Sequence, residues 1–172
     1  MKVRNQKGFT LIELLIVVAI IGIIAAIAVP GLLRARMSGN ESSAIGSMRS
    51  INSAQASYSA GCGQGGYATS LTILGTPCSG GTQGFISADL DPTKASTPNG
   101  AGVFKSGYDI QMAGNGQAGP NDGSGTVTNT DYIATAGPQT LGTTGQRGFN
   151  TNAGGTIFVD PAGGIAGTTP LQ

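Results

Sequence analysis

Glu13 is the residue whose type and position most clearly require a chemical explanation. It stands at the edge of a strongly apolar run and follows residues 1–8, which contain three cations (Lys2, Arg4 and Lys7) and no acid. A charged side chain close to hydrocarbon costs on the order of 3 kcal/mol, so Glu13 needs a partner or a purpose. The simpler alternative is that Glu13 lies at the membrane–water interface and extends its carboxylate into water.

The composition leaves little room for catalysis or cofactor binding. The 172 residues include no His, which is the commonest general base and metal ligand. The two Cys are too few for a four-ligand zinc site. A net charge of +1 without a basic stripe provides no electrostatic footprint for nucleic acid. We therefore expect a protein that is not an enzyme, with no cofactor, no metal and no nucleic-acid partner.

Two further patterns resemble ligand sites. Residues 61–66 satisfy G-x-G-x-x-G, but a dinucleotide fingerprint follows a strand and opens a helix, whereas this stretch follows a predicted helix. The acids Asp89, Asp91 and Asp122 could contribute oxygen ligands to a calcium site. Because Asp in loops usually serves turn chemistry, we do not predict such a site.

Cys62 and Cys78 enclose a short Gly-rich loop. A reactive pair is one reading, but the sequence has no Cys-x-x-Cys motif and no His to activate a thiol. If the domain lies outside the cytoplasm, a structural disulfide is favoured. Closing a loop of this length stabilises the fold by roughly 3 kcal/mol in the chain-entropy model.

The apolar run, residues 14–33, carries no charge. A helix of this length spans about 30 Å, the thickness of a bilayer core, so we predict a transmembrane helix with its N-terminus in the cytoplasm. A secretory signal peptide cleaved after Ala28 is the competing interpretation. The run is longer than a usual signal core and continues into helix-forming sequence, which favours the span. Gly22 and Pro30 interrupt the helix, and we expect a kink near Pro30.

Residues 7–14, Lys-Gly-Phe-Thr-Leu-Ile-Glu-Leu, resemble the processing motif of type IV prepilins and of the related type II secretion pseudopilins. The resemblance covers roughly the first 35 residues. It implies that a prepilin peptidase cuts after Gly8 and that Phe9 is then N-methylated, while the apolar helix stays on the mature protein. It also implies that Glu13 neutralises the new amine of an adjacent subunit during assembly. The stretch from Gly22 to Pro30 is expected to unwind partly in a filament.

The resemblance further implies the partners of the protein and its localisation. These are the prepilin peptidase and N-methyltransferase, an assembly platform with its motor, and identical subunits in a helical filament. The precursor crosses the bacterial inner membrane once, and the fibre is extracellular for a pilus or periplasmic for a pseudopilin. A major pseudopilin typically carries a Pro-Trp-Gly motif, and the lack of Trp here favours a pilus subunit. An uncleaved membrane-anchored binding module, independent of Gly8 and Glu13, is the alternative of another class.

After residue 33 the sequence becomes amphipathic. Apolar residues recur at spacings of three and four and mark one face of a continuing helix, at Ala44, Ile45, Met48, Ile51, Ala54 and Tyr58. Polar residues lie largely elsewhere, at Arg36, Asn40, Glu41, Arg49 and Asn52. The helix is predicted to run from about Phe9 to Tyr58 and to end at Gly61 and Gly63.

The C-terminal half reads as loops that separate short strands. Residues 92–102, 114–130 and 161–172 are predicted loops or tails, and three or four antiparallel strands lie among residues 107–112, 131–136, 148–151 and 156–160. Residues 152–155 are a plausible hairpin turn. The predicted fold is α+β, a pilin-like lollipop with a long helix on a small sheet. Its parts are a leader (1–8), an assembly helix (9–33), an amphipathic half-helix (34–60) and a globular head (61–172).

Overall fold

The computed structural model describes residues 8–171, and the boundary between its two compact units falls after Arg36. The predicted leader cations Lys2, Arg4 and Lys7 lie outside the described residues. We refer to residues 37–171 as the sheet unit. The α+β prediction is confirmed, because one long helix precedes an antiparallel sheet.

The first helix, α1, extends over Leu11–Gly61. It is continuous through Gly22 and Pro30. A kink near Pro30 and partial unwinding in a filament remain predictions. Among the described residues, α1 is the one helix whose length and composition suit a membrane crossing.

Within the sheet unit, the predicted apolar face of α1 is buried except at Ile45, which is half-buried. Its buried positions are Glu41, Ala44, Ser47, Met48, Ile51, Ala54, Gln55 and Tyr58. The sequence analysis placed Glu41 off the apolar face, and this prediction was wrong, because Glu41 is buried. Its burial depends on partners that lie far along the chain. A second helix, α2, occupies Leu71–Gly75. Ser70 is its N-cap, and the Ser70 hydroxyl accepts a hydrogen bond from the N–H of Ile73. The sequence analysis did not predict α2.

The sheet contains seven strands in chain order, all antiparallel. Their bounds are β1 Pro98–Asn99, β2 Gly102–Lys105, β3 Tyr108–Asn121, β4 Val127–Pro138, β5 Gly148–Asn152, β6 Ile157–Asp160 and β7 Thr169–Pro170. The prediction of three or four strands was wrong in number. The predicted hairpin turn is present, and Gly155 N–H donates to Asn152 O at 2.9 Å.

The largest error concerns residues 114–130, which their Gly, Pro and Asn content predicts to be loop. Instead, β3 and β4 continue through much of this stretch as a long hairpin. Ladder hydrogen bonds use main-chain groups, and two register shifts, between Asn115/Ala118 and Ala118/Asn121, accommodate the poor strand formers. Tyr67 also pairs with Asn129, with N–H···O distances of 2.8 and 3.0 Å, which holds this part of β4.

Alternation along the strands gives the sheet an inner and an outer face. The inner face packs on α1 through Val103, Tyr108, Ile110, Met112, Tyr132, Ala134, Ala136 and Phe149. The intervening residues, including Asp109, Gln111 and Thr135, form the outer face. Among the aromatic residues of the predicted strands, Tyr108, Tyr132 and Phe149 are buried, and Phe158 is half-buried on the outer face.

Candidate functional site

Glu13 forms a capping box with Thr10 at the start of α1. The main-chain N–H and the hydroxyl of Thr10 both donate to Glu13 Oε2, at 2.9 and 2.7 Å. In return, Glu13 N–H donates to Thr10 Oγ1 at 3.3 Å. In such a Thr-x-x-Glu box the two side chains satisfy main-chain groups that a helix leaves free in its first turn. Thr10 therefore explains why α1 begins at Leu11 rather than at Phe9.

The predicted cleavage point lies just before this cap. Gly8 and Phe9 are exposed and non-helical, and 90% of the Phe9 surface is accessible. Apart from Gly8 itself and its chain neighbours, no described residue has an atom within 4 Å of the position that a Cβ on Gly8 would occupy. The peptide bond between these two exposed residues lies next to the Thr10–Glu13 cap.

The apolar side chains that follow are uncovered in the single chain. Exposure ranges from 79% at Leu11 to 39% at Leu33, and none of the residues between them is buried. Apolar surface of this extent is rare on monomeric soluble proteins and marks a contact with a membrane or with another protein. The first unit is therefore suited to hydrocarbon or to the same segment of other chains.

Glu41 joins α1 to the segment before β5. Its Oε1 accepts the main-chain N–H groups of Gln146 and Arg147, at 3.0 and 3.2 Å, and its Oε2 lies 2.7 and 2.8 Å from Nη2 and Nε of Arg147. Burial raises the pKa of Glu41, but the hydrogen bonds from Gln146 and Arg147 outweigh burial, so the pKa falls below its ordinary value.

A second cluster joins the end of α1 to the tip of the β3–β4 hairpin. Tyr58 donates its hydroxyl hydrogen to Asp122 Oδ2 at 2.7 Å, and the N–H groups of Ser124 and Thr126 donate to Oδ1 at 2.8 and 2.7 Å. The disulfide between Cys62 and Cys78 lies beside this tip, with a Cα–Cα distance of 6.0 Å. Although burial raises the pKa of Asp122, these hydrogen bonds hold it below its ordinary value.

The residues whose pattern resembles ligand sites take on structural roles in the described chain. Asp91 is buried and pairs with Lys94 at 2.9 Å, while Asp89 pairs with Lys105 at 2.6 Å. Within residues 8–171, no three His, Cys, Asp or Glu side chains are grouped so as to hold a metal ion. Residues 61–66 follow α1, as predicted, and Gly65 N–H donates to Ser59 O at 3.0 Å.

Comparison with known proteins gives independent information. Residues 3–29 match the family described as the prokaryotic N-terminal methylation motif. The type IV wide pilus major component PilA4 of Thermus thermophilus is 66% identical over 38 residues, which cover 22% of this chain and 29% of that protein. The type IV major pilin protein PilA of Myxococcus xanthus is 48% identical over 54 residues, 31% of this chain and 24% of that protein. This chain thus spans less than a third of the length of these two relatives.

A longer similarity decides the family. The fimbrial protein EcpC of Eikenella corrodens is 36% identical over 134 residues, which cover 69% of this chain and 78% of that protein. This chain belongs to the type IV pilin family. No solved structure matches this pilin.

The sequence analysis missed several residues that hold this pilin together. Thr10 had a readable signal, because Ser or Thr followed three residues later by Glu, just before an apolar run, is a capping-box pattern. The contacts of Arg147 with Glu41 and of Asp122 with Tyr58 had no such signal, because the partners lie 106 and 64 residues apart in the sequence. Such pairs become visible only when the fold brings them together.

Proposed function

We propose that this pilin is the structural subunit of a type IV pilus and polymerises through α1. The observation that carries the proposal is the uncovered apolar segment of α1, which begins at the capped carboxylate of Glu13. The similarity to proteins named as pilins and fimbrial proteins supports it. The relatives are structural proteins, and we assign no enzymatic activity to this chain.

The precursor is processed before assembly. Prepilin peptidase cleaves after Gly8, and the new N-terminus at Phe9 is methylated. Residues 9–33 cross the inner membrane once, residues 34–60 continue the helix, and residues 61–172 form the head outside the cytoplasm. An assembly platform and a cytoplasmic motor then draw identical subunits into an extracellular filament.

Glu13 has a free oxygen for the assembly contact. Both hydrogen bonds from Thr10 use Oε2, and Oε1 has no hydrogen bond among the described residues. A carboxylate accepts several hydrogen bonds, so Oε1 can receive the methylated amine of Phe9 from a neighbouring subunit while the cap persists. Desolvation offsets much of the attraction between the two charges, so the pair fixes the axial register more than it adds stability.

The direct test is the N-terminal peptide of the native protein, analysed by mass spectrometry. A mature chain that starts at methylated Phe9 is the expected result. A chain that starts after Ala28 would identify a secreted domain and overturn the proposal. An intact Met1 in a host with prepilin peptidase would favour an uncleaved membrane-anchored module.

The role of Glu13 is tested with two substitutions that differ in one property. Glu13→Ala removes both the cap and the charge, whereas Glu13→Gln keeps a capping side chain and removes only the charge. Both variants should be inserted and cleaved normally, and both should give far fewer surface fibres by electron microscopy after shearing. A normal fibre yield from Glu13→Gln would show that the charge is not needed for assembly.

Fibre location separates a pilus from a pseudopilin. In a host that carries pilus genes but no type II secretion system, extracellular fibres are the expected result. Fibres that form only with secretion components, or that remain periplasmic, would favour the pseudopilin alternative.

A further inference from the structure

A groove lies on the outer face of the sheet, where Asp109 of β3 stands between Phe104 of β2 and Gly137 of β4. We call it the outer groove; its volume is about 560 Å³. Because Gly137 has no side chain, Ile165 lies over it, and a Cβ on Gly137 would be 3.1 Å from Ile165 Cγ2. The Asp109 carboxylate therefore has an aromatic wall on one side and an aliphatic wall on the other.

Asp109 is the one charged residue among the described residues that line the outer groove. Its Oδ1 accepts a hydrogen bond from Gln111 Nε2 at 2.8 Å, whereas its Oδ2 has no hydrogen bond and no ion pair within residues 8–171. Thr135 and Gln139 also line the groove and add a hydroxyl and a carboxamide oxygen. These three acceptors match the three donors of an ammonium group.

The outer face of the sheet is acidic. Alternation along β3, β4 and β6 places Asp109, Asp131 and Asp160 on this face. The cations of the sheet unit lie elsewhere: Lys94, Lys105 and Arg147 each pair with an acid, and Arg49 is on α1. A face of this charge attracts cationic partners and repels phosphate-bearing ones.

The free carboxylate oxygen favours lysine over arginine. An arginine usually binds a carboxylate through two parallel hydrogen bonds, one to each oxygen. In the outer groove, Gln111 already donates to Oδ1 of Asp109, which leaves Oδ2. A lysine ammonium binds as a point charge, and its methylene stem can lie along apolar side chains. Phe104 and Ile165 supply such side chains, and they are 37% and 51% exposed.

We propose that the outer groove binds a lysine side chain of an extracellular partner protein. The ammonium pairs with Oδ2 of Asp109, and the stem lies between Phe104 and Ile165. The presentation of the groove rests on the proposed function, because a filament that polymerises through α1 turns the outer face of the sheet outward. Every subunit then repeats one weak site along the fibre, and a partner surface with many lysines is bound much more tightly than a single lysine.

Carbodiimide coupling tests the groove in the detergent-dispersed full chain. The reagent joins an amine to a nearby carboxylate, and mass spectrometry identifies which acid has reacted. The probes are an acetyl-Gly-Lys-Gly amide peptide and methylamine, which has the same charge and no stem. We expect the ratio of coupling at Asp109 to coupling at Asp160 to be about two- to fivefold higher with the peptide than with methylamine, the effect of an exposed contact between a cation and a ring.

Ile165→Ser separates the groove from the charge. This variant removes one wall and keeps Asp109, so the coupling ratio of the peptide should fall to that of methylamine. Coupling of methylamine itself should not change. Because Ile165 is half exposed, the substitution should leave the sheet folded. Equal ratios for the two probes in the native chain would overturn the inference.

Capture of sheared fibres tests the outward position of the groove. Beads coated with the lysine peptide should retain native fibres, and beads coated with the same peptide acetylated on its amine should not. Asp109→Asn keeps an oxygen for Gln111 and removes the charge, so its fibres should form normally but be retained about fivefold less or lower still. Asp160→Asn is the matched control, because it removes an acid of the outer face outside the groove and can still accept the N–H of Ala162.

The capture results distinguish this inference from the proposed function. Equal retention of native and Asp109→Asn fibres, or an equal loss from Asp160→Asn, would overturn the inference and leave the pilus assignment intact. A cross-link from Asp109 to Lys94 of another copy, formed in fibres without added peptide, would identify a second copy as the occupant and would also overturn it. If the native chain forms no fibre with a complete assembly system, the proposed function fails, whereas the coupling ratio in the dispersed chain still decides whether the groove binds lysine.

Discussion

The hydroxyl of Tyr58 donates to Oδ2 of Asp122 across 2.7 Å, which ties the last turns of α1 to the tip of the β3–β4 hairpin. Both residues are buried. The same tip receives a second tie, because Gly123 N–H donates to Cys62 O at 2.9 Å beside the disulfide. A long hairpin rich in Gly and Asn is thus fixed at its far end by the helix on which it packs.

Tyr58→Phe should lower the free energy of unfolding by about 2 kcal/mol, the usual contribution of a hydrogen bond to a buried charge. Asp122 keeps the N–H groups of Ser124 and Thr126, which limits the loss. Urea unfolding of the detergent-solubilised chain measures it. Tyr67→Phe is the control, since the Tyr67 hydroxyl has no hydrogen bond among the described residues and its removal should change little. Equal losses in both variants would contradict the assigned role of Asp122.

Alkaline pH should destabilise the sheet unit through its buried tyrosines. Burial raises the pKa of Tyr108 and Tyr132 to about 12, from an ordinary value of 10.0. A raised pKa in the folded state means that stability is full below pH 10 and is lost as pH rises toward 12, by up to about 1.4 kcal/mol per pH unit for each tyrosine. Unfolding midpoints between pH 8 and 11.5 test this. A midpoint that stays constant across that range would contradict it.

Acid should destabilise the same unit through its carboxylates. The pKa values of Glu41, Asp91 and Asp122 lie below their ordinary values, although burial raises each of them. Hydrogen bonds outweigh burial at all three, and a neighbouring cation adds to them at Glu41 and Asp91. A lowered pKa in the folded state means that the stabilisation is present above pH 4.5 and disappears as pH falls through the folded-state values. Unfolding midpoints measured from pH 6 to pH 2 should therefore decrease.

Glu41→Gln isolates the contribution of the carboxylate that pairs with Arg147. At pH 7 it should lower the free energy of unfolding by about 2 kcal/mol, because an amide oxygen accepts the N–H groups of Gln146 and Arg147 less strongly and cannot pair with the guanidinium. Its stability should also change less between pH 6 and pH 2 than that of the native chain. An unchanged pH dependence would assign the acid sensitivity to Asp91 and Asp122 instead.

The sequence periodicity predicts the buried apolar face of α1 correctly, but it does not predict which polar residues of α1 are buried. Met48, Ile51 and Tyr58 are buried as predicted, because a period of 3.6 residues is a local property that the sequence displays directly. Glu41 looked like a surface residue, since its partner Arg147 becomes a neighbour only in the folded chain. Polar burial depends on such distant pairs, and one sequence contains no signal for them.

The sequence pattern predicts only part of the strands. Strands that alternate aromatic or branched residues, around Tyr108 and Tyr132, were recognised. The continuation past Gly114 was not, because main-chain hydrogen bonds and the bridge from Tyr67 to Asn129 carry it rather than side-chain pattern. At the N-terminus the motif around Glu13 was readable, yet its local geometry became clear only with the Thr10 cap.

Replacing glycine by alanine should change the free energy of unfolding in opposite directions at Gly46 and Gly145. Gly46 is exposed in α1, and no atom outside the neighbouring helix backbone lies within 4 Å of the position of an added Cβ. Gly46→Ala should therefore stabilise the monomer by about 1 kcal/mol through helix propensity. Gly145 is buried against the ring of Tyr108, so the Cβ of Gly145→Ala would overlap that ring and should cost about 1–3 kcal/mol. Urea unfolding of detergent-dispersed monomers measures both.

Because Tyr108 donates to Arg147 O at 2.7 Å, a displaced ring should also weaken the Glu41–Arg147 contact, and Gly145→Ala should then cost less in a Glu41→Gln background. Equal costs in the two backgrounds would show that the ring and the ion pair are independent.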